Sequence, residues 1–208
     1  MAGGFGGLLA NSETVDRLLS EMDPADKKSL QSWYWFDWAN QAFALTVITV
    51  VVPTLLSNMF NLANGGSADY AGMTFTGDSF YAVVLGISSV FVAIVSPVLG
   101  ATADRMPIKK KVLKVYTVVG ILFTGLMGLA PYMDDNSSYK FLAVCLIMGN
   151  IGFAGGHAIY SAFLPYLGDK RLMDHISSWG YAYGFLGGCI LLTAVSYTHL
   201  RAHETHEH

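Results

Sequence analysis

Charged side chains vanish from this chain for long stretches. Residues 38–68, 79–103, 115–133, 141–168 and 175–200 contain no Asp, Glu, Lys or Arg. Each stretch holds the roughly 20 residues that an α-helix needs to cross a bilayer core of about 30 Å. A spanning segment must satisfy its own backbone, which leaves helices or the strands of a closed barrel. Barrel strands alternate apolar and polar residues over about ten positions. Residues 81–99 are apolar on all sides apart from a few Ser and Gly. The pattern therefore predicts an all-α integral membrane fold with five helices, at about 37–59, 80–102, 112–132, 141–166 and 177–194. Pro53, Pro97 and Pro165 fall within or near the ends of these helices, where neighbouring helices can re-satisfy freed carbonyls. Residues 1–32 are polar and acidic, with one short apolar patch at 8–10, and read as an N-terminal segment rather than a signal peptide.

Composition sharpens this picture. Hydrophobic residues make up 53% of the 208 and charged residues 13%, about half the charge of an ordinary soluble domain. A net charge of −3 excludes a nucleic-acid binder that relies on bulk basicity, and the apolar content excludes a disordered chain. Cys145 and Cys189 both lie in apolar runs and supply no disulfide framework. The positions of the basic residues set the orientation. Arg17, Lys27 and Lys28 precede the first helix. Arg105, Lys109, Lys110, Lys111 and Lys114 follow the second, and Lys170 and Arg171 follow the fourth. The alternate loops carry only Lys140. The positive-inside tendency thus places the N-terminus and the 2–3 and 4–5 loops in the cytosol.

Residues 195–205 read VSYTHLRAHET and bring polar side chains into the middle of the fifth apolar run, and four of the six histidines (His199, His203, His206, His208) fall among the last ten residues. Such a tract can bind Zn²⁺ or Ni²⁺. The string also matches the translation of a common sequencing-library adaptor. Residues 195–208 are accordingly expected to be a fusion scar, leaving 33–194 as part of a transmembrane half.

Three segments carry a family resemblance. The second helix ends in Gly100-x-x-x-Asp104-Arg105, followed by a basic cluster from Lys109. This is similar to the loop signature between the second and third helices of the major facilitator superfamily. It departs from that signature at Met106-Pro107-Ile108, where a Gly and a basic pair are usual. The first helix opens Trp33-Tyr34-Trp35-Phe36-Asp37-Trp38-Ala39-Asn40-Gln41-Ala42-Phe43. This resembles the opening of the vacuolar amino-acid effluxer-like (autophagy-related) permeases and their bacterial relatives. Residues 160–165 and 176–188 resemble the end of helix four and the start of helix five in that branch. The resemblance implies twelve helices in two six-helix halves, of which this chain holds the first five, so the missing C-terminal half is an expected partner. It also implies neutral amino acids as substrates, and a switchable ion-pair network at Asp104, Arg105 and Lys109, with Gly100 allowing close helix approach.

The residues also have a physical reading of their own. Trp33, Trp35 and Trp38 suit an aromatic belt at headgroup level. Asp37, Asn40, Gln41 and Ala44 form one helical stripe. Asp37 has two readings: a coupling carboxylate turned toward a bundle interior, or an acidic residue stabilising the first helical turn through the macrodipole. Asn150, Ala154, His157 and Ser161 share one face of the fourth helix. His157 is the one titratable side chain deep in an apolar run; it either exchanges a proton near neutral pH or sits neutral against a packed neighbour. Gly180, Gly184 and Gly188 make a small-residue stripe that suits close helix packing. The fifth helix lacks the Gly-Pro pair of the superfamily's antiporter signature.

These readings converge on a fragment of a secondary transporter that moves a small solute by alternating access. The candidate substrate contacts are Asn40, Gln41, Asn150, His157, Ser161 and Tyr181, and the gating or coupling candidates are Asp37, Gly100, Asp104, Arg105 and Lys109. A non-transporting scaffold or receptor is the main alternative. An intramembrane enzyme is a lesser one, since His157 has no carboxylate near it and Ser161 lies a helical turn away. Nucleophile elbows, zinc-protease motifs, phosphate loops and C-x-x-C pairs do not occur, and no catalytic residue, metal or cofactor is expected.

Overall fold

The computed structural model describes residues 4–105 and 108–206, with side chains described for 13–97 and 108–198. Seven α-helices occur among them: α1 (Gly4–Glu21), α2 (Pro24–Ala42), α3 (Val52–Asn64), α4 (Gly77–Arg105), α5 (Lys109–Met127), α6 (Asp135–Ser161) and α7 (Met173–His206). A π-helix, Phe43–Val51, joins α2 to α3 without a break. Five helical stretches are long and apolar enough to cross a membrane: Pro24–Asn64, Gly77–Pro97, Lys109–Tyr132, Asp135–Tyr166 and Lys170–Thr198. The protein is an all-α membrane chain.

The first span starts much earlier than its apolar run. Asp23 leads into Pro24, whose fixed φ suits the first helical position, and Asp26 lies in the first turn. The polar turns before Trp33 are therefore helical. A hydrophobic run marks only where a helix must be apolar, so this stretch was invisible to it. The last helix also continues past Ala194 to His206. The side chains at 195–206 include Ala, Leu, Arg and Glu, which are good helix formers, so a polar composition does not by itself end the helix.

The chain divides into two compact units, Met1–Leu45 with Phe163–His208, and Thr46–Ala162. In the first unit, α2 packs along α7. Trp33, Asp37, Gln41 and Leu45 are spaced by four and meet a stripe of glycines in the same order. Gly180 lies under the Trp33 ring, Gly184 under Gln41 and Asp37, and Gly188 under Leu45. The matching order means that the two helices run parallel, as the first and fifth of five alternating spans must. A ridge of side chains thus fills a groove whose floor is bare backbone.

In the second unit, α6 packs on α3, α4 and α5. It meets α5 at a close backbone approach: a Cβ built on Gly152 would lie 2.6 Å from the Gly120 Cα. The Tyr116 ring covers Gly155. Residues 116 and 120 oppose 155 and 152, so α5 and α6 are antiparallel, as neighbouring spans should be. At the end of the unit holding the α3–α4 connection, Phe60, Phe80 and Tyr139 form an aromatic core, with Phe60 stacked on Phe80 at 4.7 Å. A two-stranded hairpin, β1 (Ala68–Tyr70) and β2 (Met73–Phe75), caps this core, and its Tyr70 hydroxyl lies 2.9 Å from that of Tyr139. The hairpin turns through Ala71 and Gly72, both at positive φ (52° and 79°), the conformation a tight two-residue turn demands. Ile87, Val90, Phe91 and Ile94 of α4, and Val118, Ile121 and Leu122 of α5, face outward. In water such exposure would be a liability; within a membrane an apolar face of this kind suits lipid tails or another helix.

Candidate functional site

The candidate residues are divided between the two units, and each set is described within its own. In the first, Asp37 is only 3% exposed, and its Oδ1 has no hydrogen-bond partner among the described residues. Its other oxygen, Oδ2, lies 3.1 Å from where a Gly184 Cβ would stand, and the Gln41 Cγ lies 2.6 Å from that point. Asp37 and Gln41 are therefore brought together against α7, and the bare backbone of Gly184 is what gives them room. The macrodipole reading of Asp37 is corrected here. Because α2 begins at Pro24, Asp37 stands more than three turns inside the helix, while the terminal field fades within the first turn. Asn40 is half-buried on the next flank of α2, and Tyr181 of α7 is exposed.

The tryptophans separate by role. Trp33 is buried over Gly180, so it is a packing residue of the α2–α7 seam, whereas Trp35 is 55% exposed and keeps a belt-like position. Tyr34 stacks on Tyr183 at 5.3 Å, and Trp38 and Trp179 approach Tyr183 obliquely at 6.5 and 6.3 Å. At one end of this unit, Asp169 accepts hydrogen bonds from the Arg171 backbone N–H at 2.9 Å and from its guanidinium at 2.9 and 3.2 Å. The guanidinium and amide hold the Asp169 carboxyl down to about 2. Glu21, Asp23, Asp26 and Asp169 line a shallow cleft there, yet no group of three possible ligands is placed to hold a metal among the described residues.

In the second unit, the face shared by Asn150, His157 and Ser161 divides. Asn150 is buried and donates from Nδ2 to Ser88 Oγ at 2.8 Å; Ser88 in turn donates to the Leu85 carbonyl. An interhelical bond of this kind is worth about 0.6 kcal/mol on average in a membrane. His157 is half-buried with its ring beside Phe153 and Tyr160, centroids 6.3 and 5.7 Å away. Ser161 is exposed and its hydroxyl donates to the His157 carbonyl of its own helix. Lys109 opens α5 and is partly buried. The backbone at Gly100, Asp104 and Arg105 belongs to α4, but their side chains lie outside the described residues, as do Met106 and Pro107 entirely.

Two partnerships escaped the sequence pattern. Ser88 holds Asn150, and the Tyr81 hydroxyl donates to the Ile48 carbonyl at 2.6 Å. Tyr81 and Ser88 stand seven apart, on one face of α4, with buried Val84 between them. Two polar tips on one face of an otherwise apolar run are the signal that could have revealed them.

A family model described as "Vacuole effluxer Atg22 like" matches residues 25–208. The chain belongs to that family. Membership agrees with the order of the motifs in the first, fourth and fifth spans. The chain is also similar to a protein of Bacillus subtilis (strain 168) described as "Uncharacterized MFS-type transporter YxiO". The two are 27% identical over 166 residues, covering 78% of this chain and 36% of that relative. The chain thus spans about a third of the length of the curated relative it matches. No solved structure matches it.

Proposed function

We propose that this chain is the front part of a secondary active transporter that moves a small solute, with neutral amino acids as substrates, by alternating access. It enters the membrane with its N-terminus in the cytosol, and a further set of spans completes a twelve-helix carrier. The observation that carries this reading is Asp37. A carboxylate 3% exposed, packed against α7 within the first spanning helix, with one oxygen unpartnered among the described residues, is expensive to keep. Coupling a cation or proton to solute movement is a task that requires such a group. Family membership and the similarity to an MFS-type transporter point the same way.

Asp37 is assigned the coupling role, and Asp104, Arg105, Lys109 and Gly100 the cytosolic gate. Substrate contacts are assigned to Asn40, Gln41 and Tyr181 in one unit and to Asn150, His157 and Ser161 in the other. Of these, His157 offers a ring that both donates and accepts, beside two aromatic faces. The full-length protein in liposomes should concentrate labelled neutral amino acids when a proton or sodium gradient is imposed. Asp37→Asn should cut that concentrative uptake at least about tenfold while leaving the protein folded, because the lost oxygen holds no internal hydrogen bond. Uptake that needs no gradient, or that survives Asp37→Asn at full rate, would contradict the assignment.

A further inference from the structure

The first span changes hydrogen-bond register part-way along. Over Phe43–Val51 it is π-helical, and it returns to α-helix at Val52, one residue before Pro53. In a π-helix each N–H reaches the carbonyl five residues back. Continued to residue 53, that register would pair its N–H with the carbonyl of Ile48. Proline has no N–H to give. The carbonyl left over is the one that accepts the Tyr81 hydroxyl from α4, at 2.6 Å. A side chain on another helix therefore fills the place of the amide that Pro53 lacks.

Two further observations bear on the same segment. The Thr46 Oγ1 is buried and has no partner among the described residues. In an α-helix a threonine hydroxyl commonly reaches the carbonyl four residues back, here that of Ala42. In the π register the Thr46 hydroxyl stands without that partner while the Ile48 carbonyl meets Tyr81. An α register would do the reverse, and would move the vacancy left by Pro53 to the Thr49 carbonyl. The boundary between the two compact units also falls inside the segment, at Leu45 and Thr46. π segments within α-helices occur frequently at functional sites, and a stretch whose two registers satisfy different groups is the kind of element that a conformational cycle can use.

We infer that Tyr81 is a positioning residue, a latch whose hydroxyl replaces the missing Pro53 amide and holds the first span in its π register. Its use in a transport cycle rests on the transporter reading above; the latch itself is tested without any substrate. Hydrogen–deuterium exchange on the full-length protein in lipid nanodiscs follows residues 43–56, with residues 135–161 as an internal reference. Tyr81→Phe should speed exchange in residues 43–56 about three- to tenfold, the range expected for losing one interhelical hydrogen bond, and leave the reference unchanged. In the Pro53→Ala background, where residue 53 has its own N–H, adding Tyr81→Phe should change exchange less than about twofold. If Tyr81→Phe alone does not fold but the double variant does, that rescue is the same result in stronger form. Equal acceleration in both backgrounds, no acceleration in either, or failure of both Tyr81→Phe variants to fold would overturn the latch. Absence of amino-acid transport by the unmodified full-length protein would contradict the transporter reading and leave this exchange test of the latch untouched.

Discussion

Asp169 shows how two residues can define a loop. Its carboxylate takes three hydrogen bonds from Arg171 and fixes the turn that precedes α7. Because this carboxyl is held at about 2, below its ordinary 3.8, the bonds favour the ordered turn at and above pH about 4. That contribution fades as the pH falls through the interval down to about 2. A carbon-detected NMR titration should find the Asp169 midpoint near 2, and Arg171→Gln should return it toward 3.8. A midpoint near 3.8 with Arg171 present would show that the pair does not form in solution. Sequence alone gave Arg171 a different part, as a charge that sets orientation; nothing in a D-K-R triplet announces that its first and last residues clasp each other. Asp37 was legible as a notable carboxylate, but its distance from the helix terminus became visible only with the true start of α2.

Among the elements, apolar run length located all five spans, because the cost of a charge in lipid is large enough to dominate every local preference. It missed what that cost does not govern. The polar first turns of α2 lie outside the apolar run. The hairpin at 68–75 is too short to leave a period, and the π register depends on the coincidence of Pro53 with a hydroxyl from α4. The glycine stripe on α7 was readable as a packing surface, though not the tryptophan, carboxylate and leucine that fill it. The α5–α6 contact offers a test of this logic. A methyl group at Gly152 would press on backbone atoms of α5, which cannot swing aside, whereas one at Gly125 would meet nothing within 4 Å. Gly152→Ala should therefore cost about 1–3 kcal/mol, the usual penalty for overpacking, and Gly125→Ala almost nothing. Unfolding of the purified variants in mixed micelles reads the difference, and equal stabilities would refute the close approach.

At the scale of the whole molecule, the directions of helix packing agree with five alternating spans. Within each unit, neighbours in sequence run antiparallel and helices separated by an even number of crossings run parallel. This follows from alternation alone, so the sequence held it implicitly. The candidate substrate residues were legible as polar positions in apolar helices, but their states were not. Asn150 is engaged with Ser88 and Ser161 with its own backbone, whereas Asp37 packs beside Gln41 against Gly184 with one oxygen unpartnered among the described residues. Which polar residues of an apolar helix are partnered, and by what, depends on the neighbouring helices and is not written in one helix's own pattern. The central claim is that the complete protein carries neutral amino acids through the membrane. Counterflow tests it most directly, since it needs neither a known coupling ion nor a known direction. Liposomes holding the full-length protein and preloaded with an unlabelled neutral amino acid should accumulate the labelled form transiently above the level in protein-free liposomes. Identical traces with and without the protein, across the neutral amino acids, would contradict it.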